Sequence, residues 1–178
     1  GAKWADKAVT MPKGFKEAYA QFVDNGWNAL SGNPEHGGQG LPKVVSAAVQ
    51  EMWKSANMSF SLCPLLTLGA IEALELAGTD AQKEMYLPNM VSGKWTGTMN
   101  ITESQAGSDL AAIRSRAVPQ GDGTYLARGD KYYIGNGNEA AMLSVFGKIA
   151  GTDEYVFFAV ETRHPKYRLV KNTVASQS

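Results

Sequence analysis

The sequence has little from which a metal site or a disulfide framework could be built. Its 178 residues include one cysteine, Cys63, and two histidines, His36 and His164. A single cysteine excludes an intramolecular disulfide and a thiolate cluster. Two distant histidines fall short of the about three or four N, S or O ligands that zinc takes. An excess of either charge is also lacking. Lys+Arg and Asp+Glu are 17 each, and the balance holds on both sides of Lys94, with 8 basic and 9 acidic residues up to it and 9 and 8 after it. Phosphate-backbone binding needs a basic stripe, so no nucleic-acid partner is expected. Arginine is absent before Arg114; Arg114, Arg116, Arg128, Arg163 and Arg168 all lie in the second half, on strand faces open to solvent or to an anion.

A long uninterrupted apolar run is missing too. The most apolar stretch, residues 58–78, carries Pro64, Glu72 and Glu75, so no membrane span is expected. The start, Gly-Ala-Lys-Trp, has no apolar signal core, and Gly1 and Ala2 read as a cloning remnant. A cytoplasmic location follows as the expectation. What is present is a globular balance, 44% hydrophobic and 19% charged in 19.1 kDa, enough for one large domain or two small ones.

The first half has helical period. Phe15, Tyr19, Phe22, Val23 and Leu30 fall near helical spacing, with Gly26 as a stop. A Gly, Asn and Pro loop follows over 31–40. Pro42 opens a helix whose stripe is Val44, Val45, Ala48, Val49 and Met52. A third helix spans 60–76, with Leu65, Leu68, Ile71 and Leu76 as core candidates, and Gly78 ends it. Thr79 and Gln82 form a capping box for a fourth helix, which should stop near Tyr86, ahead of Pro88. At Trp95 the period changes to two. Strands are expected over 95–102, 113–118, 125–128, 130–134, 143–149, 155–161 and 167–171, separated by Gly and Asn turns. The fold class is therefore α+β: an N-terminal all-helical domain over 1–93, then a small antiparallel β-barrel or sandwich domain over 94–178.

The chemistry concentrates in residues 95–110. A strand runs into an open turn of small and polar residues, where Gly107 lets a ligand approach the backbone and consecutive N–H groups can form an anion nest. Thr102 and Ser108 add hydroxyls. The same residues also suit an ordinary loop with Asp109 capping a turn. Elsewhere, Trp53, Phe60 and Tyr86 read as core, and Met52, Met58, Met85 and Met90 as either gap-fillers or a plastic apolar pocket. His36 reads as a loop residue, and Arg163, His164, Lys166 and Arg168 as a solvated basic edge.

The run Ile-Thr-Glu-Ser-Gln-Ala-Gly-Ser-Asp over 101–109 resembles the T-E-P-x-A-G-S-D signature of the acyl-CoA dehydrogenase family. Residues 34–40 resemble its P-E-x-G-G-x-G loop. Residues 78–83, 86–88 and 92–93 resemble its G-T-x-x-Q-K, Y-L-P and S-G segments. Residues 129–136 resemble its G-x-K-x-[WF]-I-[TS]-N strand, and 157–161 the strand after it. The order is the family's, and the resemblance covers about 14–161.

The resemblance implies a flavoenzyme that dehydrogenates acyl-CoA thioesters at the α,β position, with FAD as cofactor and an electron-transfer flavoprotein as acceptor. It implies that Met99, Ile101 and Thr102 face the isoalloxazine ring, with Thr102 bonded to its pyrimidine edge. Gly107 and Ser108 would lie along the ribityl-pyrophosphate side, Ser108 also near the thioester. Tyr133, Ile134 and Gly135 would line the flavin from the second motif. Gly135 replaces the Thr or Ser whose hydroxyl reaches flavin N5, and Ser104 replaces the proline of T-E-P. Glu103 is expected to hydrogen-bond loop N–H groups. The catalytic base is expected in a C-terminal helical domain outside these 178 residues, so none is nominated and the chain alone is expected to be inactive. The full-length form is expected to be a homo-oligomer. The alternatives are an acyl-CoA oxidase-like or other flavoprotein of the superfamily, or a non-catalytic ligand-binding module.

Overall fold

The computed structural model describes residues 1–6 and 8–168. A short antiparallel hairpin, β1 (Lys3–Ala5) and β2 (Ala8–Thr10), precedes the helices and was not expected from the sequence. Four helices follow: α1 (Phe15–Asp24), α2 (Lys43–Ala56), α3 (Met58–Ala77) and α4 (Asp80–Val91). The sheet comes last, with β3 (Gly97–Asn100), β4 (Arg116–Pro119), β5 (Tyr125–Arg128), β6 (Met142–Ile149) and β7 (Tyr155–Glu161).

Local signals explain most helix ends. The Asn57 side chain accepts from Phe60 N at 3.0 Å and starts α3. The Thr79–Gln82 capping box is formed, with Gln82 Oε1 accepting from Thr79 N at 2.9 Å. Two prolines fail to act as breakers. Pro64 lies inside α3, which among the described residues is the one helix long and apolar enough to cross a membrane, so Pro64 does not interrupt the run as expected. Pro88 lies inside α4, which continues to Val91 instead of stopping near Tyr86. Leu87, Met90 and Val91 are fully buried. Each such side chain is worth about 1.5–3 kcal/mol on burial, which offsets the hydrogen bond a proline removes.

Those residues belong to a core that joins helices to sheet. Ala70, Ile71 and Leu74 of α3 pack with Tyr86, Leu87, Met90 and Val91 of α4 and with Met142 of β6; Trp95 and Met99 flank them. Gly97 sits at the joint. A Cβ there would lie 2.6 Å from Met90 Cε and 2.9 Å from Ala70 Cβ, so only glycine permits this approach. A second cluster holds the outer helices: Phe22 lies 5.8 Å from Phe60 and 5.4 Å from Trp53, both edge-on. The apolar stripe of α2 faces largely outward, with Val44 74% exposed, and Leu76 of α3 is 82% exposed. Leu76 is not the core residue expected of it, and the residue that α2 buries is Ser46, outside its apolar stripe.

The sheet is mixed, not antiparallel, and no closed barrel forms among the described residues. β6 is its centre. One edge pairs antiparallel with β7, from Met142↔Glu161 to Lys148↔Tyr155. The other edge pairs parallel with β3 along its first half, Gly97↔Met142 to Asn100↔Val145, and with β4 at its end, Arg116↔Lys148. β4 and β5 form a hairpin. The strand expected over 130–134 does not form: the chain bends at Tyr133, whose φ of 56° lies outside the extended region, and enters a turn over 135–139, where Asn136 has φ of 57°. The strand expected over 167–171 falls mostly outside the described residues.

Candidate functional site

β3 delivers the chain from the core to an open turn. Thr98 and Asn100 are buried and Met99 half-buried on β3; Ile101 and Thr102 lie just past its end, half-buried. Met99 Cγ would lie 3.5 Å from a Cβ on Gly69, so its side chain lies against α3. The turn closes on itself, with Glu103 N donating to Ala106 O at 2.9 Å and Ala106 N to Glu103 O at 3.1 Å. Its tip, Gly107 and Ser108, is exposed. Among the described residues, the amides of Gly107 and Ser108 donate to no protein acceptor, so two successive N–H groups are open to an anion. Asp109 caps the next turn by accepting from Ala111 N at 3.1 Å.

Glu103 organises this region. It is 5% exposed. Its Oε1 accepts from Lys131 Nζ at 2.8 Å and Ser115 N at 3.0 Å; its Oε2 accepts from Gln105 Nε2 and Arg114 N, both at 2.7 Å. Burial alone would raise its pKa, but the Lys131 ammonium and the converging N–H donors outweigh burial and hold the carboxyl well below the usual range. Glu103 is therefore an ionised structural acceptor, as expected, and not a proton carrier.

Residues 129–136 meet the same strand end. Tyr132 N donates to Thr102 O at 3.0 Å, and Lys131 Nζ to Ile101 O at 2.9 Å. Thr98 Oγ1 donates to Gly135 O at 2.5 Å, and Asn136 Nδ2 to Cys63 O of α3 at 3.0 Å. Tyr133 is left 95% exposed; Ile134 is half-buried and Gly135 exposed. Thus Thr102 and Ile101 are brought beside Tyr133, Ile134 and Gly135, while Gly107 and Ser108 stand at the turn tip.

Two profiles match this chain: the N-terminal domain of acyl-CoA dehydrogenases over residues 1–94, and their middle domain over 98–176. The chain belongs to the acyl-CoA dehydrogenase family. It is 58% identical over 134 residues to the 3-methylmercaptopropionyl-CoA dehydrogenase of Ruegeria pomeroyi, a match covering 75% of this chain and 23% of that protein. The chain therefore spans about a quarter of that relative's length. The structure of a glutaryl-CoA dehydrogenase from Mycobacterium smegmatis superimposes with a TM-score of 0.77 at 25% identity, covering 85% of this chain and 38% of that one. An acyl-CoA dehydrogenase complexed with FAD from Bacillus anthracis gives 0.73 at 28% identity, covering 84% and 26%.

The acyl-CoA dehydrogenase motif positions also show where this chain departs. A Cβ on Gly135 would lie 2.5 Å from Leu66 Cδ1, so Leu66 of α3 occupies the space that a Ser or Thr would need. Ser104 is exposed and donates to Gln105 Oε1 at 3.1 Å, which gives the turn a side-chain contact that proline could not make. Sequence reasoning missed Lys131, Leu66 and Cys63. Lys131 stands inside the resembling motif, which is the signal that could have found it. Cys63 is half-buried, and burial pushes its thiol up. The methionines do not form a pocket together: Met90 is core, and Met52, Met58 and Met85 are exposed. Arg163 stacks 3.6 Å above the Trp95 ring and pairs with Glu161, so one member of the basic run is engaged. Among the described residues no group of His, Cys, Asp or Glu could hold a metal.

Proposed function

We propose that the chain forms the N-terminal helical (1–93) and middle β (94–178) portions of an FAD-dependent acyl-CoA dehydrogenase. One observation carries this reading: both stretches that resemble the family's flavin-lining motifs meet at one place, with Tyr132 N on Thr102 O and Lys131 between Ile101 and Glu103. The residues fit a flavin. An exposed Tyr133 ring stands on a fixed turn beside Thr102, a surface on which a planar ring can stack. The open amides of Gly107 and Ser108 suit a pyrophosphate. FAD, when bound, supplies the hydride acceptor for α,β-dehydrogenation.

The chain's own residues bind and orient. Thr102 offers its hydroxyl to the polar edge of the ring. Met99 and Ile101 keep water from its face. Ser108 stands where a thioester could be held. Gly135 presents no side-chain hydroxyl, so any contact it makes to the ring passes through its backbone. No base is assigned among these residues; a glutamate in the part of the family's length that this chain does not span is the proposed base. The electron-transfer flavoprotein as acceptor, a cytoplasmic setting and a homo-oligomeric full-length form belong to the same reading. The 58% identity to the Ruegeria pomeroyi protein favours a short, sulfur-containing acyl-CoA as substrate.

The test is a titration with FAD, of the 178-residue chain and of the product of its complete reading frame. Quenched flavin fluorescence and a resolved visible band are expected with the longer protein. Anaerobic 3-methylmercaptopropionyl-CoA should then bleach that band faster than butyryl-CoA does. Flavin spectra identical to those of free FAD with both proteins overturn the flavin reading. Equal bleaching by the two thioesters overturns the substrate preference.

A further inference from the structure

The candidate site is made of two stretches, 97–108 and 131–136, and no β-ladder joins them. What joins them is a small set of side-chain and backbone bonds at two ends. At the β3 end, Thr98 Oγ1 reaches Gly135 O and Asn136 Nδ2 reaches Gly97 O at 3.4 Å. At the open end, Tyr132 N reaches Thr102 O, and the Lys131 ammonium reaches Ile101 O and Glu103 Oε1. Lys131 differs from the others in being charged and buried: its side chain is 10% exposed and that of Glu103 is 4%.

Two readings of a buried lysine beside a flavin-like site compete. It could hold a ligand phosphate, or it could hold the protein. The geometry decides between them. The ammonium is neutralised by Glu103, which is itself fixed by Arg114 N, Ser115 N and Gln105 Nε2. A cation already matched to a buried carboxylate has no net charge to offer an anion, and drawing it away would leave Glu103 buried and unpaired. Through that carboxylate Lys131 also ties its own turn to residues 114–115, which lead into β4.

We propose that Lys131 is a positioning residue for the flavin site: through Ile101 and Glu103 it locks the strand end carrying Thr102 to the turn carrying Tyr133 and Gly135, so that both meet one planar ligand in fixed register. The proposal rests on the flavin reading above. Lys131 touches neither flavin nor substrate. Tyr132 N and Thr98 Oγ1 still hold the turn when Lys131 is replaced, so its loss loosens the register of the two stretches without freeing them.

The experiment compares wild type, Lys131→Met, and the double variant Lys131→Met/Glu103→Gln, which leaves no buried charge unpaired and keeps the fold within reach. Amide hydrogen exchange is measured first, without FAD. In both variants, residues 101–109 and 132–136 should exchange at least about tenfold faster together, while α3 and β6 keep their protection. The second readout is the midpoint potential and the affinity of bound FAD in the product of the complete reading frame. The potential should shift and the affinity fall at least about tenfold in the double variant. A purely structural role predicts uniform loss of protection and an unchanged potential, and that result overturns the proposal. So does unchanged exchange in 132–136. If the wild type binds no FAD, the flavin reading fails, and with it the role at the flavin; the exchange arm then still shows whether Lys131 couples the two stretches.

Discussion

The two ends of β3 are held by different physics. At Gly97 the strand is pressed against Met90 and Ala70, an apolar contact so close that no side chain fits. Past Asn100 the chain is held by charge: Ile101 O and Glu103 take the Lys131 ammonium, and Glu103 takes the amides of Arg114 and Ser115. Apolar packing is non-directional and indifferent to pH. Charge-assisted hydrogen bonds fix direction and depend on ionisation. The polar end can therefore set where a backbone carbonyl and a turn lie while leaving Thr102, Ser108 and Tyr133 free for a ligand. The apolar end supplies the stability from which that arrangement hangs.

The sharpest break in this comparison is Glu103→Ala. It strands the buried Lys131 charge and two loop amides, and should cost about 4 kcal/mol at neutral pH. Chemical denaturation of both proteins checks it. The sign of the pH effect follows from the depressed folded pKa. The ionised form contributes fully above the ordinary glutamate value of about 4.3 and loses that contribution as pH falls below it toward the folded value. The gap between wild type and variant should therefore narrow at about pH 3. A gap that stays constant means that Glu103 acts through packing, and the contrast between the two ends fails.

Met90→Ala is the matching change at the other end. Met90 is fully buried between α4, α3 and β3, and its truncation should cost about 3 kcal/mol. The same denaturation series should show a gap that does not move between neutral and acid conditions. A gap that closes in acid would mean that the two ends unfold as one electrostatic unit.

The same contrast explains what could be read from the sequence. Four helices were legible because periodicity and caps are local: Thr79, Gln82 and Gly78 stand within a few residues of the ends they set. The continuation of α4 through Pro88 was not, because it depends on Leu87 and Met90 finding Ile71 and Met142 across the core. The outward turn of Val44 and Met52 had no local signal either, since a stripe shows that a face is apolar and not what covers it. In the sheet, five strands were legible and their pairing was not. β3 and β4 both run parallel to β6, a non-local choice that alternation does not encode. At the site, the Thr102 turn and the structural role of Glu103 were legible through family resemblance. The partner of Glu103 lies 28 residues away, and the positive φ of Tyr133 breaks the expected strand where that partner is needed.

The smallest expected effect sharpens the comparison from the local side. Thr79 and Gln82 make a hydrogen-bonded pair much as Glu103 and Lys131 do, but the partners are exposed and three residues apart. Water replaces either partner at an exposed helix end, and no distant segment is tethered there. Thr79→Ala should therefore cost about 1 kcal/mol, the same at neutral and acid pH because neither side chain ionises. Hydrogen exchange should rise in the first turn of α4 and leave residues 101–109 and 132–136 untouched. If exchange rises in those site segments as well, α4 transmits strain to the strand end through Met90 and Gly97, and the two ends of β3 are not independent.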